Sequence, residues 1–392
     1  MATPTMEREV LSQEALDRFG GRAATYDKEN QFFTEDFEEL RKAGFLKLAV
    51  PKDLGGFGYS LPEVCAELRR VAYRAPATAL ATNMHLYWTG IAADMRRLGD
   101  NSLEWLLRET VDGEVFAAGH AESGNDFAGF FSTCRAERVD GGYKFHGRKM
   151  FGSLTPVWTR LGVWGQDNAD PRGPQMVHAF MPRNTPGYRI EETWDTMGMR
   201  ATRSDDTILE GAFVPDKYVA RVLPAGSADL FVLTLFAWVE PMFGSIYLAA
   251  AKRAMDLAIE GVKSKTSLAL TRSMAYHPEI QHHVAEMYLA LEAGNAQVEK
   301  TANDWANNVD HGAEWPAKLV GTKHNATAAA MKVADLAMTI SGGTGMFKKS
   351  ELERLFRDIR AGGFHPANSM LVHEIVGKTA LGIELGEQPR WG

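Results

Sequence analysis

Ser132-Thr-Cys-Arg-Ala-Glu-Arg-Val-Asp-Gly-Gly-Tyr-Lys-Phe-His-Gly-Arg-Lys-Met-Phe-Gly-Ser153 is the stretch on which the fold turns. Its first half alternates to Val139, Asp140-Gly141-Gly142 is a hairpin signal, and Tyr143-Lys-Phe145 resumes the strand pattern. Arg160 to Gly165, Met176 to Met181 and Asp206 to Glu210 read as further short strands between Pro, Gly, Asn and Asp clusters. No helix of useful length fits between them. This spacing predicts a small sandwich or barrel.

Both flanks read as helix. Upstream, Phe37 to Gly44, Pro62 to Ala75 and Ser102 to Asp112 carry apolar residues at helical spacing. Downstream, Ser245 to Val262, Pro278 to Val309 and Trp315 to Ser341 are long, Ala-rich and periodic, and a last helix is expected from Ser369 to about Leu385. The expected architecture is α+β and multidomain. An α-helical domain spans 1–112, a β-barrel-like domain 113–222 and a C-terminal four-helix bundle 223–392.

Composition narrows the function. The 392 residues are 45% hydrophobic and 24% charged, an ordinary globular balance, with a net charge of −7 that offers no basic face for nucleic acid. Cys65 and Cys134 are too few for a disulfide scaffold or a four-cysteine metal site. His282 and His283 are adjacent and cannot share a metal from one helix, so no metal is expected. Met1 to Ser12 lacks the apolar core of a secretory leader, and the apolar run Leu230 to Ala251 is interrupted by Glu240 and Pro241. The expectation is a cytoplasmic protein with neither membrane nor nucleic-acid partners. The glycine-rich Val50 to Gly58 lacks the Lys-Ser/Thr of a phosphate loop, and no Gly-x-Gly-x-x-Gly follows a strand.

Several motifs in order resemble the acyl-CoA dehydrogenase superfamily of flavoproteins. Leu40 to Gly58 is similar to the family's helix and Pro-x-x-x-Gly-Gly-x-Gly loop. Ala121-Glu122 with Gly124-Asn125-Asp126 looks like a shortened Thr-Glu-Pro-Gly-Ala-Gly-Ser-Asp. Gly147 to Ser153 matches Gly-x-Lys-x-Trp-Ile-Thr, and Met197 to Arg200, Val214-Pro215, Gly342-Gly343-Thr-Gly345 and Arg357-Asp358-Ile-Arg360 match later motifs. Together they cover more than 300 residues.

The resemblance implies FAD between the β domain and the bundle, in a homotetramer or homodimer. His120 and Ala121 would offer backbone to the flavin's pyrimidine edge, and Asn125 stands in the adjoining loop. Phe151 would lie on the ring face, or serve as a core aromatic. The Ser153 hydroxyl would reach flavin N5 or O4. Gly342 and Gly343 would admit a pyrophosphate, or simply end a helix. Arg272 would reach a neighbouring subunit's cofactor, or form a surface ion pair.

The family's usual catalytic Glu falls on Pro366, which cannot abstract a proton. Two alternatives stand. Glu240, alone in Phe236-Ala-Trp-Val-Glu-Pro-Met-Phe243, would be a displaced base for α-proton abstraction from an acyl-CoA thioester, with hydride passing to flavin N5 and O2 as acceptor or oxygen donor. Otherwise it is a carboxylate at the start of a helix begun by Pro241. The alternative chemistry is a monooxygenase that takes reduced flavin from a reductase and forms a C4a-(hydro)peroxyflavin. There Ser153 would supply a hydrogen bond near N5, and His365 and His85 would move protons. His365 also reads as a turn residue before Pro366, and His85 as a core histidine. An electron-transfer flavoprotein is a further candidate partner, and a non-catalytic flavin-binding protein is a third reading.

Overall fold

The computed structural model describes residues 9–127 and 129–387. Five helices open the chain: α1 (Gln13–Glu29), α2 (Thr34–Lys42), α3 (Leu61–Arg74), α4 (Pro76–Arg97) and α5 (Glu104–Val111). Ser12 and Ser60 cap α1 and α3, Ser60 through a capping box with Glu63. The expected helices near residues 37–44, 62–75 and 102–112 are α2, α3 and α5.

Eight strands follow: β1 (Phe116–Gly119), β2 (Arg135–Val139), β3 (Gly142–Gly152), β4 (Arg160–Asp167), β5 (Gln175–Pro182), β6 (Tyr188–Glu191), β7 (Asp205–Pro215) and β8 (Val219–Pro224). They form one mixed sheet in the order β6-β7-β3-β2-β4-β5-β8, with β1 parallel to β4. The β2–β3 hairpin forms as read, with Val139 opposite Gly142 and Gly141 at φ 75°.

The chain then returns to helix through α6 (Leu230–Ser264), α7 (Pro278–Ala306), α8 (Trp315–Ser341), α9 (Glu351–Arg360) and α10 (Ser369–Leu381). The last helix stops at Gly382, φ 71°, short of the expected Leu385. The larger difference is α6, which begins at Leu230 and runs through Pro241. Glu240 is therefore inside a helix, which corrects its reading as a carboxylate at the start of one. Proline removes a helical N–H, but Ala237, Trp238, Glu240, Met242 and Phe243 are all buried, and tertiary packing carries the helix across the break. By length and composition α6 could cross a membrane, yet 78% of its most apolar window is buried inside the protein, which makes it the core helix.

Two close approaches set the geometry around the site. A Cβ on Gly90 of α4 would lie 2.1 Å from the Trp238 ring, so glycine lets α6 seat on α4; the Trp238 indole N–H then donates to Asp94 at 2.8 Å. A Cβ on Gly198 would lie 2.3 Å from the Arg357 carbonyl. That contact docks the loop before β7 on α9, where the Met199 amide donates to Asp358 at 2.5 Å and Arg357 donates to the Met197 carbonyl at 2.6 Å. Two motifs far apart in sequence thus form one joint between sheet and bundle.

Candidate active site

Between the sheet and the bundle lies a cavity of about 600 Å³. It draws its wall from α4, β1, β3, β4, the loop before β7, α6 and the loop after α9. His120, Ala121, Asn125, Phe151, Ser153, Glu240 and His365 all border it. His85, Arg272, Gly342 and Gly343 do not.

On the sheet side, Phe151, one residue from the end of β3, sits at φ 58° and stays 56% exposed, with Trp194 edge-on at 6.0 Å. A large aromatic side chain rarely takes that backbone conformation, so the ring is held out into the cavity at a cost in strain. It is a cavity wall, not the core aromatic of the second reading. The His120 ring stacks on Trp164 at 3.8 Å, and its Nε2 is buried without a partner. Ala121 accepts from the Met150 amide at 2.9 Å.

Asn125 is spent on its own loop. It donates to Glu122 at 3.0 Å and to the Phe131 carbonyl at 2.8 Å, and accepts from the Phe127 amide at 3.0 Å. It shapes the cavity without offering it a free amide group. The loop turns around a buried ion pair between Glu122 and Lys149, which Thr133 and Ser132 also join. Burial pushes the Glu122 carboxyl up, but the Lys149 charge and these hydrogen bonds outweigh it and hold it at about 2.

On the bundle side, the Glu240 Oε1 accepts from the Ala367 amide at 3.2 Å, and Oε2 is buried without a partner among the described residues. Burial pushes this carboxyl up to about 8 against the opposing pull of the Lys323 charge and the Ala367 N–H. Burial therefore favours the protonated form of this carboxyl. Lys323 is also buried, and burial holds its pKa below the usual lysine range. Its Nζ donates to the His365 carbonyl at 2.7 Å and the Ala367 carbonyl at 2.8 Å, clamping the loop that carries His365.

The His365 ring stacks on Phe243 at 4.4 Å, with its Nε2 2.6 Å from the Tyr247 hydroxyl. Burial, then the Lys323 charge, lower its pKa to about 3, so it is neutral at neutral pH. It is more than a turn residue: α6 holds its ring at the cavity.

His85 is corrected. Its Nε2 donates to the Leu46 carbonyl at 2.9 Å, and its Nδ1 accepts from the Phe116 amide at 3.0 Å. Both nitrogens are committed and the residue is fully buried, so it joins α4 to β1 and has no proton to offer the cavity. Arg272 is exposed and lies over the Tyr276 ring at 5.0 Å, and among the described residues it forms no surface ion pair. Gly342 ends α8 at φ 64°, and Gly343 is exposed beside it. Lys265 Nζ donates to the Ser341 carbonyl at 2.9 Å, while the Met274 amide donates to the Lys265 carbonyl at 2.9 Å. The segments carrying Arg272 and Gly342 therefore meet at one end of the bundle, away from this chain's own cavity.

Residues 5–99 match the model of the acyl-CoA dehydrogenase N-terminal domain, and residues 242–370 match that of the C-terminal domain. The chain belongs to the acyl-CoA dehydrogenase family. Among family relatives, YdbM of Bacillus subtilis (strain 168), which carries an acyl-CoA dehydrogenase name, is 28% identical over 92% of this chain and 93% of its own. A dibenzothiophene monooxygenase of Mycolicibacterium goodii is 26% identical over 93% and 91%. The solved structure of KijD3 with FMN and a dTDP-linked amino-keto sugar superposes with a TM-score of 0.86 at 25% identity, over 97% of this chain and 96% of that one. As a member of the family, the protein is a flavin-dependent enzyme on this fold.

The sequence reading missed several residues of the site. Ser204 and Thr202 line the cavity behind Ser153, Tyr247 and Lys323 stand behind His365, and Trp164 and Trp194 supply aromatic wall. Lys149 stood in a recognised motif, and a buried partner for it was a fair inference from Glu122. The others had no signal of their own.

Proposed function

We propose that this protein is a flavin-dependent monooxygenase acting on a small, uncharged, apolar or heteroaromatic substrate. The observation that carries the reading is the loop after α9. Where most of the family keeps a carboxylate it has Pro366, and beside it stands His365, neutral and hydrogen-bonded to Tyr247. A neutral imidazole next to a phenol passes or holds a proton in a dry cavity without bringing a charge into it.

The residues fit a flavin. Phe151 supplies an aromatic wall held out of the core, Ser153 a polar edge beside it, and Glu240 and His120 contribute buried polar atoms aimed at no protein partner. FAD is the family's cofactor, FMN shares the same ring, and about 600 Å³ suits that ring with a small substrate. When bound, the reduced flavin supplies the electrons that activate dioxygen.

The lining argues against CoA. Leu80, Met84, Leu235, Phe236, Val239 and Phe243 make it apolar, and its acidic members are Glu122, Asp126 and Glu240. No Lys or Arg stands among the described lining residues to hold a pyrophosphate.

A second reading, thioester oxidation with Glu240 as base, is favoured by one observation: its unpartnered Oε2 at the cavity. Against it, burial favours the protonated form of this carboxyl, which would act as a donor. Under the main reading the partners are dioxygen and a flavin reductase. Under the second, an electron-transfer flavoprotein takes the reductase's place. The exposed Arg272, Gly342 and Gly343 at one end of the bundle support a homo-oligomer in which they serve a neighbouring subunit's cofactor. We place the protein in the cytoplasm on its composition.

The test supplies reduced FMN and dioxygen in the presence of indole or dibenzothiophene, and in parallel mixes the oxidised holoprotein anaerobically with butyryl-CoA. Oxygenated product with no bleaching by the thioester supports the reading. Bleaching by butyryl-CoA overturns it.

A further inference from the structure

Three buried hydroxyls stand in a row behind the cavity wall. Ser153 Oγ is 2.7 Å from Ser204 Oγ, and Ser204 Oγ is 2.7 Å from Thr202 Oγ1. Thr202 Oγ1 is 2.8 Å from the Met199 carbonyl oxygen. All three residues are buried, and all three border the cavity.

The hydrogen bond from Thr202 to the Met199 carbonyl sets the order of donors in this row. A carbonyl only accepts, so the one Thr202 proton goes to Met199. Thr202 must then accept from Ser204, which spends the one Ser204 proton. Ser204 must accept from Ser153, which spends the one Ser153 proton. Ser153 is left with lone pairs alone on its cavity side. The Met199 carbonyl that anchors the row is itself fixed, because the Met199 amide is bonded to Asp358 and the Trp194 indole N–H donates to the same carbonyl at 3.1 Å.

We infer that Thr202 and Ser204 are positioning residues that make Ser153 an obligate hydrogen-bond acceptor toward the flavin ring, so that the site favours the reduced cofactor. The inference rests on the flavin reading above and deepens it. Oxidised flavin presents a lone pair at N5, and reduced flavin presents N5–H. A hydroxyl free to rotate would serve both. One whose proton is committed elsewhere serves only the N–H. On this polarity the hydrogen bond expected between Ser153 and the flavin near N5 is one that Ser153 accepts. The arrangement suits an enzyme that receives its flavin already reduced and must hold the N5 proton in place while oxygen is used.

The test measures the affinity of the protein for oxidised and for anaerobically reduced FMN by quenching of tryptophan fluorescence, in the wild type and in Ser204→Ala, Thr202→Val and Thr202→Ser. Thermal unfolding confirms that each variant is folded. The wild type is expected to bind the reduced form more tightly. Ser204→Ala and Thr202→Val each free the Ser153 proton, and each should move the reduced-to-oxidised preference toward the oxidised form by about three- to tenfold, the worth of one hydrogen bond. Tenfold corresponds to about 30 mV in the potential of the bound two-electron couple. Thr202→Ser keeps the hydroxyl and should keep the wild-type ratio. Equal loss of affinity for both forms, or a shift in Thr202→Ser as large as in Thr202→Val, overturns the relay. If wild-type protein binds neither form, the flavin reading itself falls, and that outcome is distinct because it appears before any variant is compared.

Discussion

The Tyr247 hydroxyl stands 2.6 Å from His365 Nε2, tying the middle of α6 to the loop after α9 across 118 positions of sequence. Burial raises the Tyr247 pKa well above the usual tyrosine range and lowers that of His365, so both are neutral and share one proton across the contact. Tyr247→Phe removes the hydrogen bond and leaves the ring stacked on Phe243. Stability should fall by about 1 kcal/mol. The fraction of consumed dioxygen recovered as hydrogen peroxide should rise severalfold, with KM for the organic substrate little changed. Unchanged coupling in a folded variant would remove this pair from the chemistry.

Glu240 gives a pH signature. Burial raises its carboxyl pKa to about 8 in the native state, above the ordinary value of about 4.5 that an exposed glutamate keeps in the unfolded chain. Below 4.5 both states are protonated. Between 4.5 and 8 the native state holds a proton that the unfolded state has lost, so the wild type loses stability as pH rises, at up to about 1.4 kcal/mol per pH unit. Glu240→Gln has no such proton. The melting temperature of Glu240→Gln minus that of the wild type should therefore climb from pH 5 to pH 8. A difference that stays level or falls would show an ionised carboxylate and revive its role as a base.

Phe151 separates cofactor binding from folding. Phe151→Gly relieves the positive φ, worth about 1–2 kcal/mol, but adds chain entropy to the unfolded state at about 1 kcal/mol. The melting temperature should barely move, while flavin affinity falls about tenfold with the loss of the aromatic wall. Equal affinity in the variant would take Phe151 out of the cofactor site.

His85 should behave in the opposite way. His85→Ala leaves the Phe116 N–H and the Leu46 carbonyl buried without partners and opens a cavity, a loss of about 3–5 kcal/mol. Flavin affinity of the folded fraction should be unchanged. A stable variant that had lost only turnover would restore the catalytic reading of this histidine.

What the sequence made legible follows physical range. The hairpin at Gly141 was readable because turn chemistry is local, and helices with clean apolar periods were readable for the same reason. Pro241 misled because its local cost is real, while the packing that overrides it comes from α3, α4 and α8. Glu240 and His365 stood out as a lone acid in an apolar run and as a neighbour of the missing carboxylate. Their state did not, because it depends on Lys323 and Tyr247, which only the fold brings near. His85 carried the right residue type in the right region, but the Leu46 and Phe116 backbone groups that occupy its nitrogens leave no trace in composition. Ser204 and Thr202 are small, common residues whose meaning lies wholly in the order of their protons.

The proposed reaction transfers one oxygen atom of dioxygen to the substrate at the expense of reduced flavin, and isotope labelling tests it most directly. The protein is supplied with anaerobically reduced FMN, then with ¹⁸O₂ in the presence of indole and dibenzothiophene, and the products are weighed by mass spectrometry. A product that carries one ¹⁸O atom is expected. Unlabelled organic compounds throughout, with all the oxygen recovered as peroxide or water, would contradict it.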